Sequence, residues 1–109
     1  MQLTLVEVIS KKQKKLFHQF SRDLYASDPE FISHLDQDIE RIFSKQENSE
    51  FDAGDAKRWL AYSNGKITGK IAAFYNINTH QFGLGFFDAI NEQKVANVLF
   101  DAGITWLKT

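Results

Sequence analysis

The chain has 109 residues, 43% of them hydrophobic and 25% charged, with a net charge of −1 and no cysteine. This length and composition are typical of one globular domain with a modest core. The balanced charge argues against nucleic acid or an anionic membrane as a partner, and the lack of cysteine excludes disulfides, thiolate metal sites and a cysteine nucleophile. The absence of an apolar leader and of an apolar run of about 18 residues predicts a cytoplasmic protein without a membrane segment.

The first half of the chain predicts one strand and two helices. Alternating apolar residues over 2–9 indicate a short strand. Ser10 is a typical N-cap, and a helix is predicted from there to about Ala26. Its apolar face consists of Leu16, Phe17, Phe20 and Leu24. The lysines of its first turns form either a solvated face or an anion-binding patch: Lys11, Lys12, Lys14 and Lys15.

A break and a second helix follow in the acidic middle of the chain. Asp28-Pro29 ends the first helix, because proline disfavours a helical residue before it. Apolar residues then recur at helical spacing and predict a second helix, best defined over 35–45 (Phe31, Ile32, Leu35, Ile39, Ile42 and Phe43). Residues 46–56 are predicted to form a loop anchored by Phe51.

The clearest local signal is a hairpin. The runs KRWLAYS (57–63) and KITGKIAAFYNI (66–77) flank Asn64-Gly65, the sequence that a two-residue type I′ turn prefers. This turn predicts three cross-strand pairs: Ser63 with Lys66, Tyr62 with Ile67, and Leu60 with Gly69. The other face would carry Trp59, Ala61, Ala72 and Phe74. Both faces of the hairpin are apolar, so we expect the sheet to be covered on both sides.

The last part of the chain predicts a turn, a strand and a helix. The turn occupies residues 78–82, the strand runs from Gly83 to Asp88, and the helix begins after an N-cap at Asn91. The helix has an apolar stripe of Val95, Val98, Leu99, Ala102 and Trp106. The predicted class is therefore α+β, in the order strand, helix, helix, strand, strand, strand, helix, with a mostly antiparallel sheet and the helices packed on it.

Three sequence segments, together with this order of elements, resemble those of a known family: LYASDPEFI, RWLAYSNGKITGKIAAFYN and GFFDAINEQKVANVLFDAGITWLK. They resemble the N-terminal half of a bacterial group of GCN5-related N-acetyltransferases (GNAT). The resemblance implies direct attack of an amine on the thioester of acetyl-CoA, assisted by a general base and by the backbone of the fourth strand. A complete domain of that family continues into a fifth strand, a helix and two more strands. We therefore expect residues 1–109 to be a single, incomplete GNAT-like domain.

The resemblance also implies a place for the cofactor. In typical members the turn between the fourth strand and the next helix reads Gln/Arg-x-x-Gly-x-Gly/Ala, and its bare amides bind the CoA pyrophosphate. Here the turn has neither glycine nor a basic residue. The implied cofactor-binding residues are Phe87, Asp88, Ala89 and Asn91. The alternative is a plain capped helix that binds no phosphate.

Near this turn, Asp88 is the nearest ionisable group, and no catalytic residue is predicted. The glycines upstream of the turn, Gly83 and Gly85, are expected to let the strand bend or to admit bulky neighbours such as Phe86 and Phe87.

Other candidate residues favour structural roles. His18, His34 and His80 are scattered, so no metal site is predicted and surface or capping roles are expected. Asp36, Asp38 and Glu40 predict a solvated helix face, with a general-base pair or a divalent-cation site as alternatives. The serines lie in no nucleophile motif. The aromatic residues Phe74, Tyr75, Phe82, Phe86 and Phe87 are predicted to lie in the core rather than to stack on nucleobases, since no basic patch is interleaved with them.

Two functional hypotheses of different classes follow. The first is an acyl-CoA-dependent N-acetyltransferase domain, or half of one, with acetyl-CoA and an amine as ligands. The second is a non-catalytic domain that forms a homodimer or binds another protein through an open sheet edge or an apolar sheet face.

Overall fold

A computed structural model describes residues 2–30, 35–44, 46 and 54–108. Its elements are β1 (Leu3–Glu7), α1 (Lys11–Leu24), α2 (Asp36–Ile42), β2 (Gly54–Ser63), β3 (Lys66–Asn76), β4 (Gln81–Ala89) and α3 (Gln93–Leu107). The α+β class and the element order are as predicted. Several predictions fall on residues outside the described ranges: those for Phe31, Ile32, His34 and Phe51, and that for the end of the second helix at residue 45.

The first helix begins where its sequence indicates. Ser10 has extended backbone angles, and its hydroxyl oxygen accepts a hydrogen bond from the Gln13 amide at 3.1 Å. The Gln13 side chain in turn accepts from the Ser10 amide at 2.8 Å. This capping box satisfies amide groups that have no partner within the helix.

The strands form one antiparallel sheet in the order β1-β2-β3-β4. The β2–β3 turn has positive φ at both central residues, Asn64 (52°) and Gly65 (84°), as a type I′ turn requires. The predicted pairs of Ser63 with Lys66 and of Tyr62 with Ile67 are present.

The third predicted pair of the hairpin is wrong. Gly69 lies opposite Ala61, not Leu60, because Thr68 is an extra residue in β3. Its hydroxyl lies 3.0 Å from that of Ser63 and donates to the Ala61 carbonyl. This bulge shifts the register beyond it, so the predicted grouping of Trp59 and Ala61 with Ala72 and Phe74 is also wrong.

Both faces of the sheet are covered, as predicted, but by different kinds of layer. On one face α3 packs over all four strands. The core on this side contains Trp59, Ala61, Ile71, Ala73, Val95 and Leu99, and Leu3, Leu5, Leu84 and Trp106 pack against it. On the opposite face α1 covers a smaller cluster built on Val8, Phe17 and Leu60. The α1 side also buries charged groups, which makes it the chemically more varied layer.

Candidate functional site

The C-terminal part of β4 contains a β-bulge. Lys70 pairs with Asp88 and Ala72 pairs with Gly85, so Ile71 of β3 faces two residues of β4. One of these two, Phe86, has a φ of 51°, which is rare for a bulky residue. Its ring packs against Phe43, with ring centroids 5.3 Å apart, and this packing helps to hold the strained backbone. The bulge lies three residues before the end of β4 and redirects the last residues of the strand.

The last residues of β4 present backbone groups at the edge of the sheet. The Ile90 amide donates to the Thr68 carbonyl of β3 at 2.9 Å. Alternate residues of a strand direct their N–H and C=O groups to opposite sides. The amides of Phe87 and Ala89 therefore face away from β3. In the part of the chain that the structure describes, no strand pairs with this side of β4.

The side chains of the four predicted cofactor-binding residues do not converge on one pocket. Phe87 stacks on Phe100 of α3, with centroids 4.6 Å apart and ring planes at 31°. Ala89 packs against the α3-side core, and Asn91 is exposed. Asp88 points to the opposite face, toward α1.

The predicted N-cap of the last helix is wrong by one residue. The N-cap is Glu92, whose carboxylate accepts from the Lys94 amide at 3.4 Å. Asn91 is therefore placed before the cap. Because the Glu92 carboxylate already occupies this helix N-terminus, it would repel an anion bound there.

The bulky neighbour of the β4 glycines is Phe74 of β3, not Phe86 or Phe87. A Cβ atom on Gly83 would lie 3.1 Å from the Phe74 ring, and one on Gly85 would lie 3.4 Å from it. The glycines thus let this ring cross over β4.

Asp88 is the centre of a polar group of residues beneath α1. Its two carboxylate oxygens accept hydrogen bonds from the Ser21 hydroxyl and the Tyr25 hydroxyl, both at 2.7 Å. The Lys70 Nζ lies 3.8 Å from the same carboxylate. Both oxygens of this carboxylate are thus engaged by hydroxyl donors, and an ammonium group lies beside it.

The environment shifts the pKa of two partners of Asp88. The hydrogen bond to Asp88, followed by burial, raises the pKa of the Tyr25 hydroxyl above its ordinary value. Burial lowers the pKa of Lys70 to about 8, although the charge of Asp88 opposes this change. The Lys70 ammonium also lies 4.3 Å from the centroid of the Phe17 ring, a cation–π contact that favours its charged form.

A second charged group joins α1, α2 and β2. Arg58 is only 6% exposed, and its guanidinium donates to both carboxylate oxygens of Glu40, at 2.7 and 3.0 Å. The guanidinium carbon lies 4.1 Å from the Phe43 ring centroid and 5.2 Å from that of Phe17. Planar guanidinium groups suit this combination of bidentate pairing and ring stacking.

His18 completes this second group. Its Nε2 lies 2.7 Å from a Glu40 oxygen, and its Nδ1 is buried without a partner among the described residues. Burial lowers the pKa of His18 despite the hydrogen bond to Glu40. Burial alone would raise the pKa of Glu40, but Arg58 and His18 together outweigh it and lower this pKa. The arrangement therefore favours a neutral imidazole that donates through Nε2 to an ionised Glu40.

These contacts correct several sequence predictions. His18 is 3% exposed rather than on the surface, and Glu40 is ion-paired rather than solvated. Asp36 pairs with Arg22, whereas Asp38 does lie on the exposed face. His80 is exposed, as expected. The sequence analysis does not identify Arg58 and Lys70 as buried charged groups. The signal that could have identified them is a charged residue within an otherwise apolar strand.

The prediction that the aromatic residues lie in the core is wrong for three of them. The exposed fractions are 73% for Phe82, 41% for Phe74 and 37% for Phe87. Tyr75 and Phe86 are half-buried. The exposed rings lie along β4 or next to it.

The described residues contain neither a cluster of metal ligands nor a helix suited to cross a membrane. No group of three or more histidine or acidic side chains there is arranged to hold a metal ion. None of the described helices combines the length and the apolar character needed to cross a membrane.

Comparison with known proteins gives a match to a longer protein. The sequence matches no protein-family model. It is 31% identical over 110 residues to Protein YghO of Escherichia coli (strain K12), and the alignment covers 93% of this chain. The chain spans 27% of the length of that protein, whose name specifies no activity.

Proposed function

We propose that this chain is the N-terminal half of a GNAT-like, acyl-CoA-dependent N-acetyltransferase domain, and that the free edge of β4 holds the acyl-CoA. The observation that carries the proposal is the bulge at Phe86, near the end of β4, the strand that precedes α3. No described strand pairs with the outer side of β4. Bulges are frequent next to active sites, where they redirect the chain.

The proposed contact uses backbone groups. The pantetheine arm of CoA is an extended chain that contains amide groups, so it can pair with a strand edge as a peptide does. The amides of Phe87 and Ala89 face the free edge and are the donors that we assign to this contact. The acyl thioester would then lie beside β4, where an amine can attack it.

The same geometry limits what the other groups do. Glu92 caps α3, so we assign the affinity for acetyl-CoA to the pantetheine arm rather than to the pyrophosphate. We assign no base role to Asp88, because Ser21, Tyr25 and Lys70 already surround its carboxylate.

Thermal denaturation with acetyl-CoA tests this proposal. At ten times its Kd, a ligand that binds only the folded chain adds about 1.4 kcal/mol, which raises the Tm of a domain of this size by about 6 °C. Ala89→Pro removes one edge amide without removing a bond to β3, so we expect the shift to be lost. Ala89→Ser keeps the amide and is the matched control. Equal shifts in the two folded variants, or no shift in the wild type, would contradict the proposal.

A second candidate function is pairing through the same edge, either with another copy of this chain or with a different protein. It is favoured by exposed apolar side chains beside the β4 edge: Phe87 (37% exposed), Phe100 (36%) and Ile104 (42%). An open edge flanked by apolar groups is a template for pairing with another chain. Sedimentation over a concentration series, with and without millimolar acetyl-CoA, separates the two functions. A monomer that binds acetyl-CoA supports the first, and a dimer indifferent to acetyl-CoA supports the second.

A further inference from the structure

A cavity of about 600 Å³ lies at the C-terminal end of α3. Asp55, Tyr75, Phe82, Trp106 and Leu107 are among the residues that line it. The helix has 15 residues, so at 1.5 Å per residue this cavity lies about 22 Å from the β4–α3 connection. It is therefore separate from the proposed acyl-CoA site.

Strand register explains why these side chains lie together. Asp55 of β2 is the partner of Tyr75 of β3, which is in turn the partner of Phe82 of β4. Directly opposite residues of an antiparallel sheet point to the same face. The three side chains therefore form a row across the sheet on the face that α3 covers. Trp106 closes one side of the row, with its ring centroid 5.5 Å from that of Tyr75.

The chemistry of this row favours a cation. The faces of the three aromatic rings carry negative potential, and the Asp55 side chain is a carboxylate, whose Oδ1 also accepts a hydrogen bond from the Ala56 amide at 2.8 Å. The C-terminal end of a helix such as α3 adds a partial negative charge. The described lining residues include no lysine or arginine, and the one histidine among them, His80, is exposed. Phe82, at 73% exposed, leaves a large aromatic surface open at the rim of the cavity.

We propose that this cavity, here called the Tyr75 cavity, binds an organic ammonium ion with alkyl substituents. Alkyl groups pack on aromatic walls while their positive charge faces the rings and the carboxylate, whereas a small metal ion would lose its hydration shell for few oxygen ligands. The proposal is independent of acyl-CoA binding, and its failure leaves the proposed function untouched.

Titration with choline tests the proposal, with 3,3-dimethylbutan-1-ol as the matched neutral probe. The two molecules have nearly the same shape, and only choline is charged. The indole N–H resonance of Trp106, identified by its loss in Trp106→Phe, reports occupancy. We expect a saturable shift with choline and at least about tenfold weaker binding of the alcohol. Sodium chloride at equal ionic strength controls for screening.

Three variants locate the site. Asp55→Asn should weaken choline binding several-fold and leave binding of the alcohol unchanged. Phe82→Ala should weaken both, and it should fold because this ring is mostly exposed. Phe100→Ala removes an aromatic ring near the other end of β4, and it should change neither the affinity for choline nor that for the alcohol.

The result can also overturn the proposal. Equal affinity for the two probes, no saturable shift, or full choline affinity in both Asp55→Asn and Phe82→Ala would each do so. A peptide that carries one trimethyllysine distinguishes the source of the ammonium group. Tighter binding of the peptide than of choline supports a modified protein as the ligand, and equal binding supports a small molecule.

Discussion

At the scale of single residues, the unusual feature is Lys70, an ammonium group almost fully buried in a sheet. It is 3% exposed and lies between the Phe17 ring and the Asp88 carboxylate. Removing an ammonium from water is costly, and one carboxylate at 3.8 Å offsets this cost only in part. The pKa of Lys70 is therefore lowered, because burial outweighs the attraction of Asp88.

The lowered pKa predicts a dependence of stability on pH. Between about pH 8 and pH 10, the unfolded chain binds a proton at Lys70 that the folded chain has released, so the free energy of unfolding rises with pH. The rise is at most about 3 kcal/mol over this window. Above about pH 10 the raised pKa of Tyr25 acts in the opposite direction, since the folded chain keeps that proton longer.

Urea denaturation at several pH values in this window measures the effect, with Lys70→Met as the comparison. The variant should lose the rise, because it has no group to titrate at this position. Lys66→Met, at an exposed position of the same strand, is the control and should keep it. A rise of equal size in Lys70→Met would contradict the assignment to Lys70.

At the scale of elements, the contact between α3 and the sheet depends on Gly69. A Cβ atom there would lie 2.6 Å from a Leu99 methyl carbon, 2.9 Å from one of Val95 and 3.3 Å from the Ala89 Cβ. Leu99 and Val95 are fully buried, so neither has space to move away. Glycine at this position lets the helix lie close to β3.

Gly69→Ala should therefore destabilise the fold. Overpacking of a core costs roughly 1–3 kcal/mol, which exceeds the gain from replacing a strand glycine. Gly85→Ala is the matched control, since its Cβ would make an ordinary 3.4 Å contact with Phe74. Chemical denaturation compares the two variants, and a Gly69→Ala protein as stable as Gly85→Ala would mean that α3 shifts freely over the sheet.

At the scale of the whole molecule, backbone amides should be most protected from hydrogen exchange at the centre of the sheet and least protected at the outer side of β4. β3 lies between β2 and β4 and is covered on both faces, and Ile71, Ala72 and Ala73 are fully buried in it. Amides at such positions exchange only when the whole domain opens.

Hydrogen exchange followed by NMR should show this gradient. In a dilute monomer, the amides of Phe87 and Ala89 should exchange fast, whereas that of Ile90, which donates to Thr68, should exchange slowly. Protection of Phe87 and Ala89 that appears with acetyl-CoA, or with rising protein concentration, would identify what occupies the edge. Strong protection in the dilute, ligand-free monomer would contradict the edge assignment.

Local signals in the sequence determined the class, the order of elements and the main turns. These signals act between residues close in sequence, so a short segment of the chain is enough to recognise them. Examples are Ser10 with Gln13, Asn64-Gly65 and the apolar stripe of α3. The bulges at Thr68 and Phe86, and the pairing of Glu40 with His18 and Arg58, are seen only in the folded chain. A bulge depends on how two strands match along their whole length, and a buried charge depends on partners distant in sequence. Both are properties of the assembled layers, and no short window of the sequence contains them.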